Sequence, residues 1–201
     1  MGVFINVDGT NGSGKSRMVD YLEKHFRDKG YRIKVTREPG GTEIGKEIRS
    51  ILLNNDYHYM DKIAETLLFF ADRAQHYKEV LSNLDDYDLI ITDRFVSSTY
   101  VYQHYMKNIS KHLLEVLYDE SVRGLKPDLS IYMISKFPHN KAGMGEIKGD
   151  RFDEESFSKR DNIIKAFNDL NISKRKLYIE TDDQNWSHYR RTITAEIENL
   201  L

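Results

Sequence analysis

The chain has 201 residues, of which 39% are hydrophobic and 31% charged, with a formal net charge of −2 and no cysteine. That length is enough for one compact domain with a sizeable core, and the balance describes a globular chain rather than a disordered or membrane-embedded one. No basic excess points to nucleic acid, and disulfides, thiolate catalysis and cysteine-ligated metal are excluded.

The first apolar run, Val3–Val7, is short and β-branched and reads as a buried strand. It is too short for a signal peptide or a membrane span. Asn6 stands where a myristoylation signal wants Ser or Thr, so no lipid anchor is expected and the cytoplasm is the expected location. After a Gly-rich turn, Met18, Val19, Leu22 and Phe26 recur at helical spacing up to Gly30. Tyr31–Thr36 reads as a second strand, broken by Pro39-Gly40-Gly41. Residues 43–53 and 61–82 are helical in pattern, with Leu67, Leu68 and Phe70 available to the core. Leu89–Thr92 is a third strand ending at Asp93, and residues 96–123 read mainly as helix. Pro127 introduces a fourth strand, Leu129–Ile134. Residues 136–150, rich in Gly and Lys, predict a mobile loop; helix follows over 153–170, then a strand at Leu177–Ile179 and a helix over 186–200.

Strands alternating with helices predict an α/β domain built on a five-stranded parallel sheet, with ligands outside the carboxyl ends of the strands. Residues 1–201 are read as one such domain. The segments rich in reactive groups follow strands one, two and three, so distant residues converge on one rim.

Gly9-Thr10-Asn11-Gly12-Ser13-Gly14-Lys15-Ser16 fits the P-loop pattern and stands between a predicted strand and a predicted helix. Glycines let successive backbone N–H groups curl around phosphate oxygens. Lys15 supplies charge to the β- and γ-phosphates, Ser16 a hydroxyl to Mg²⁺, and the following helix its positive end. The bland alternative is a Gly-rich turn with an exposed lysine, against which the strand–loop–helix context weighs. The motif fits kinases, ATPases, GTPases and motors alike.

Three further segments bear on the acceptor. Arg37, in Thr36–Thr42, presents a planar fork suited to phosphate at a strand end, although a surface Arg-Glu pair before a turn fits as well. Phe69 and Arg73 are four apart and share a helix face, suited to stacking on a base and bonding its edge; a core Phe with a solvated Arg is the alternative. Asp93 suits a metal-water contact and Arg94 a phosphate. Downstream, Ser98 and Tyr102 share one helical face with Thr99 and Gln103 beside them, able to read a base or sugar, or else to cap and pack.

Together VDGTNGSGKS, TREPGGT, LLFFADRAQH, DRFVSSTYVYQ, KPDLSIYM and GDRFDEES resemble the thymidylate kinase family, within the P-loop nucleoside monophosphate kinases, over almost the whole chain. The resemblance implies a three-layer P-loop NTPase fold, a homodimer, and phosphorylation of dTMP by ATP with Mg²⁺. Arg37 and Arg94 would hold the acceptor phosphate, Phe69 would stack on thymine and Arg73 would bond its edge. Ser98, Thr99 and Gln103 would complete base recognition, and Tyr102 would crowd the sugar against ribonucleotides. Ser16 and Asp93 would position Mg²⁺, and residues 136–152 would form the lid.

The chain departs from the family pattern at several places. Asn11 replaces an acid, Arg17 a small hydroxyl residue, and Phe95 a Tyr or His. Gly12 matches members whose catalytic arginine lies in the lid, which makes Arg151 the candidate, with Lys141 or Lys148 as lesser ones. Glu154 and Glu155 read as the start of a helix. The rival readings are another nucleotide or deoxynucleoside kinase with different base choice, and a nucleotide-binding protein that has lost catalysis.

Overall fold

A computed structural model describes residues 2–135, 160–182 and 184–201. Five parallel strands form one sheet in the order β2-β3-β1-β4-β5: β1 Val3–Gly9, β2 Ile33–Arg37, β3 Leu89–Asp93, β4 Leu129–Ser135 and β5 Arg175–Thr181. Among the described residues seven α-helices flank it: α1 Lys15–Asp28, α2 Glu43–Leu53, α3 Lys62–Glu79, α4 Val96–Thr99, α5 Lys111–Val122, α6 Arg160–Asp169 and α7 Trp186–Glu198. The stretch expected to form the lid, with Lys141, Lys148, Arg151, Glu154 and Glu155, lies outside the described residues.

The strands bury according to their place. From Phe4 onward β1 is buried at every position, as is all of β4, because helices cover both faces of a parallel sheet. The edge strands β2 and β5 are partly exposed. Alternate side chains feed two cores. Ile5, Val7, Ile91 and Ile131 pack with Met18, Leu22 and Phe26 of α1 and Ile193 of α7. Phe4, Ile90 and Tyr132 face the other way, onto Phe70, Val101, Leu114 and Phe167. Thus α1 and α7 cover one face, and α3 to α6 the other.

Several sequence boundaries shift. The second strand begins at Ile33 rather than Tyr31, and the fifth extends to Arg175–Thr181. Helix α3 ends at Glu79, and a 3₁₀ segment, Leu81–Asp86, follows. The span 96–123 is not one helix: α4 runs into a π-helix, Tyr100–Met106, and the chain then turns before α5. Leu67 is 48% exposed and does not serve the core. Its neighbours Thr66 and Phe70 turn inward instead.

Candidate active site

The strand order puts β1 between β3 and β4, so the loops after β1, β2 and β3 crowd one rim. Parallel register aligns Val7 with Asp93 and Arg37 with Asp93.

The loop after β1 is shaped by backbone constraints. Gly9 has φ 132°, and a Cβ there would stand 1.9 Å from the carbonyl oxygen of Met133 on β4. Thr10 ties the loop down, its N–H donating to Met133 O at 3.1 Å and its Oγ1 accepting from Ser135 N at 3.0 Å. Gly14, at φ 85°, opens α1 with no side-chain cap. By contrast Thr42 accepts from Gly45 N to cap α2, and Asp61 from Ile63 N to cap α3. No side chain caps the start of α1, and the dipole of a helix favours an anion at such an end. Lys15 folds over the loop, its ammonium donating to Thr10 O at 2.7 Å and Gly9 O at 3.3 Å. Ser13 Oγ is buried without a hydrogen-bond partner among the described residues.

Ser16 Oγ donates to Asp93 Oδ2 at 3.0 Å. These are hard oxygen donors at the foot of the loop. They fit Mg²⁺, which keeps several waters and takes one or two carboxylates plus substrate phosphates. Among the described residues no group of three or more His, Cys, Asp or Glu side chains could hold a metal, so a denser protein cage is not offered there.

Arg94 has φ 71°, a left-handed conformation that a non-glycine residue rarely adopts and that concentrates at functional sites. The twist turns its guanidinium back over β1. There Nη1 donates to Asp8 Oδ1 at 3.0 Å and Ser98 Oγ at 2.9 Å, while Nη2 donates to Asn11 Oδ1 at 2.5 Å. Asp8 is fully buried and is the hub beneath it. Its carboxylate also accepts from Ser97 Oγ at 2.6 Å and Ser98 Oγ at 2.8 Å. Sequence reasoning gave Asp8 no role. Its signal was a carboxylate near the end of a mostly apolar strand, immediately before the glycine loop.

Beside this loop lies an open cleft lined by Asn11, Phe69, Arg73, Arg94, Ser98, Thr99, Tyr102 and Gln103 together with Glu38, Pro39, Arg49, Leu53 and Phe95. The structure thus brings together all the proposed acceptor residues except Arg37. Arg37 ends β2 exposed, outside the cleft lining. Two side chains the sequence did not single out, Glu38 and Arg49, line the cleft instead.

Arg73 is 2% exposed, which rules out the solvated reading. Its Nε donates to Glu38 Oε2 at 2.8 Å and its Nη2 to Thr99 Oγ1 at 3.1 Å, whereas Nη1 is buried with no partner among the described residues. The guanidinium lies over the rings of Phe70 and Phe95, at 5.0 and 5.6 Å from their centroids. Phe95 is itself fully buried. Glu38 is held from a second side by His76 Nδ1 at 2.7 Å, and His76 Nε2 meets Thr36 Oγ1 at 2.7 Å. Burial pushes the Glu38 carboxyl up, but the charge of Arg73 and the His76 contact outweigh it and hold the group below its usual range. Asp72 differs. Burial first, then the charge of Glu38, pushes it up to about 6 against the opposing Gly40 N–H bond. Arg17, which stands where the family has a small hydroxyl residue, is exposed, with its guanidinium 4.1 Å over the ring of Trp186.

Comparison with known proteins bears on the family and the fold. Residues 7–190 match the family model described as thymidylate kinase. A curated thymidylate kinase of Thermoanaerobacter sp. (strain X514) is 31% identical over 182 residues, covering 89% of each chain. One from Carboxydothermus hydrogenoformans is 36% identical over 179 residues, covering 87% of this chain and 86% of its own. The crystal structure of thymidylate kinase from Ehrlichia chaffeensis superposes with a TM-score of 0.73 at 22% identity, covering 99% of this chain and 98% of that one, and so shares the fold. With the family model covering nearly the whole chain and relatives this similar along most of their length, the chain belongs to the thymidylate kinase family.

Proposed function

We propose that this chain transfers the γ-phosphoryl group of ATP directly to dTMP, with Mg²⁺. The observation that carries the reading is the position of Arg94. One guanidinium touches Asn11 of the phosphate loop and Ser98 of the cleft. An acceptor phosphate seated on Arg94 therefore faces the place where the loop would hold the donor's terminal phosphate.

In this reading Lys15 and the loop N–H groups grip the β- and γ-phosphates. Arg94, with Arg37 from the end of β2, holds the acceptor phosphate. Phe69 stacks on the base, and the unpartnered Nη1 of Arg73 donates to a base carbonyl. Ser98, Thr99 and Gln103 complete the base site, and Tyr102 crowds the sugar. Ser16 and Asp93 would hold Mg²⁺, which when bound neutralises charge on the phosphates. The acceptor oxygen is already nucleophilic, so the residues work by alignment and charge rather than by taking a proton. Arg151 is the proposed lid arginine.

Two copies are proposed to meet on α2 and α3, which pack together and expose Ile44 (54%), Ile51 (40%), Ile63 (39%) and Leu67 (48%). Among the described residues no helix is long and apolar enough to cross a membrane. The cytoplasm is the proposed location.

The test is a side-by-side assay of dTMP, dUMP, dGMP and thymidine as acceptors with ATP and Mg²⁺. Preference for dTMP supports the reading. Preference for thymidine overturns the monophosphate assignment, and tight binding with no transfer in a single turnover overturns catalysis.

A further inference from the structure

Glu65 stands on α3 one turn before Phe69 and two turns before Arg73, and it is fully buried. Its Oε1 accepts from Gln103 Nε2 at 2.9 Å and from Lys107 Nζ at 2.7 Å. A carboxylate only accepts, so the nitrogen of the Gln103 amide must face it. The amide oxygen, the other prong of the same planar group, is thereby turned away from Glu65. Gln103 lines the cleft, and among the described residues no donor bonds to its Oε1. The π-helix Tyr100–Met106 carries Gln103, and Lys107 follows at its end, so both reach one carboxylate oxygen.

We propose that Glu65, held by Lys107, is a positioning residue that locks the Gln103 amide with its oxygen toward the base and so selects pyrimidines carrying an N3–H. The inference rests on the dTMP reading and deepens it. Thymine and uracil offer an N3–H donor flanked by carbonyl oxygens. Cytosine offers a bare N3 and an exocyclic amino group. A fixed acceptor at Gln103 bonds the first pattern and opposes lone pair to lone pair in the second. The open Nη1 donor of Arg73 adds to the contrast, since it suits a carbonyl and repels an amino group. A free glutamine amide rotates by half a turn and serves either edge, so Gln103 without the lock reads nothing. Buried ion pairs contribute little net stability, and fixing one arrangement is their best-attested use.

The experiment measures kcat and KM for dTMP, dUMP and dCMP, with ATP and Mg²⁺, in the wild type, Glu65→Gln and Glu65→Gln/Lys107→Leu. The double variant leaves no buried charge unpaired and so guards against loss of folding. Both variants should raise KM for dTMP about fivefold to tenfold, the worth of one hydrogen bond, with a smaller change in kcat. The dTMP:dCMP ratio of kcat/KM should fall about tenfold or more. The dTMP:dUMP ratio should stay the same, because both bases carry N3–H. A purely structural role would lower all three substrates together. An unchanged dTMP:dCMP ratio in both variants, with a wild type that prefers dTMP, overturns this proposal alone. A wild type that ignores dTMP overturns the substrate reading, and this proposal with it.

Discussion

Glu38 and Arg73 meet at 2.8 Å with both side chains 2% exposed, and among the described residues one guanidinium nitrogen, Nη1, is buried without a hydrogen-bond partner, in a residue that lines the cleft. An ion pair buried this deeply is costly to form, because each charge gives up its water. Here the cost fixes a planar cation in one orientation, with its remaining donor left for a ligand.

Replacing Arg73 with Ala should raise KM for dTMP by about a hundredfold, in line with the loss of a charge-assisted hydrogen bond, while KM for ATP changes little. Equal changes in both would remove Arg73 from the base site. The same variant strands Glu38, so chemical denaturation should also show a loss of about 3 kcal/mol.

Lys15→Ala should cut kcat by about a hundredfold or more, since it removes a preorganised charge from the developing transition state. KM for dTMP should move little. Steady-state kinetics on a variant with an unaltered melting curve decide the point, and retained turnover would contradict the role of the loop.

Ser16→Ala removes the hydroxyl that meets Asp93 at 3.0 Å. The Mg²⁺ concentration giving half-maximal activity should rise about tenfold, the order of effect seen when one group supporting a metal is lost. A titration of Mg²⁺ at saturating dTMP measures it. If the midpoint does not move, the metal is held elsewhere.

Asp72 makes stability fall as pH rises. Its carboxyl sits at about 6 in the folded chain, above its unfolded value, so the folded state binds more protons between roughly pH 4 and 6. The group thus costs stability that grows through this window and is complete above it, about 3 kcal/mol at most. Glu38 works in the opposite direction. Its depressed carboxyl contributes stability at neutral pH that is lost as pH falls through its folded value. Asp72→Asn keeps an oxygen for Gly40 N–H and should be more stable than wild type at pH 8 but not at pH 4. Urea unfolding at the two pH values checks both signs, and a variant gaining equally at both would refute the titration account.

The loop from Gly9 to Ser16 was legible because its job is done by backbone, and glycine spacing records backbone shape directly. Phe69, Arg73, Ser98, Thr99, Tyr102 and Gln103 were legible as candidates because helical periodicity puts them on shared faces. What stayed hidden were the residues that hold those side chains still. Glu38 meets His76 across 38 positions and Asp8 meets Ser98 across 90, and no local pattern marks such pairs. Glu65 is hidden for the same reason, since it follows a helical surface pattern until the π-helix brings Gln103 against it. Arg37 was legible as the last residue of a strand, but that it would be exposed and outside the cleft lining was not.

The alignment of Val7 with Asp93 and of Arg37 with Asp93 makes Asp93 the last rung of two ladders at once. Side chains alternate faces along a strand, so a slip of one residue in either ladder would aim its carboxylate at the opposite side of the sheet. Partial fraying therefore cannot leave a half-working metal site. Amide exchange at Ile91 and Thr92, in the centre of the sheet, should proceed only through global opening, and loss of activity on heating should coincide with that event rather than precede it. The proposed base-reading side chains sit on helix α3, a short helix and a π turn with no such ladder, so substrate choice can drift under mutation while the capacity for transfer stays tied to the core.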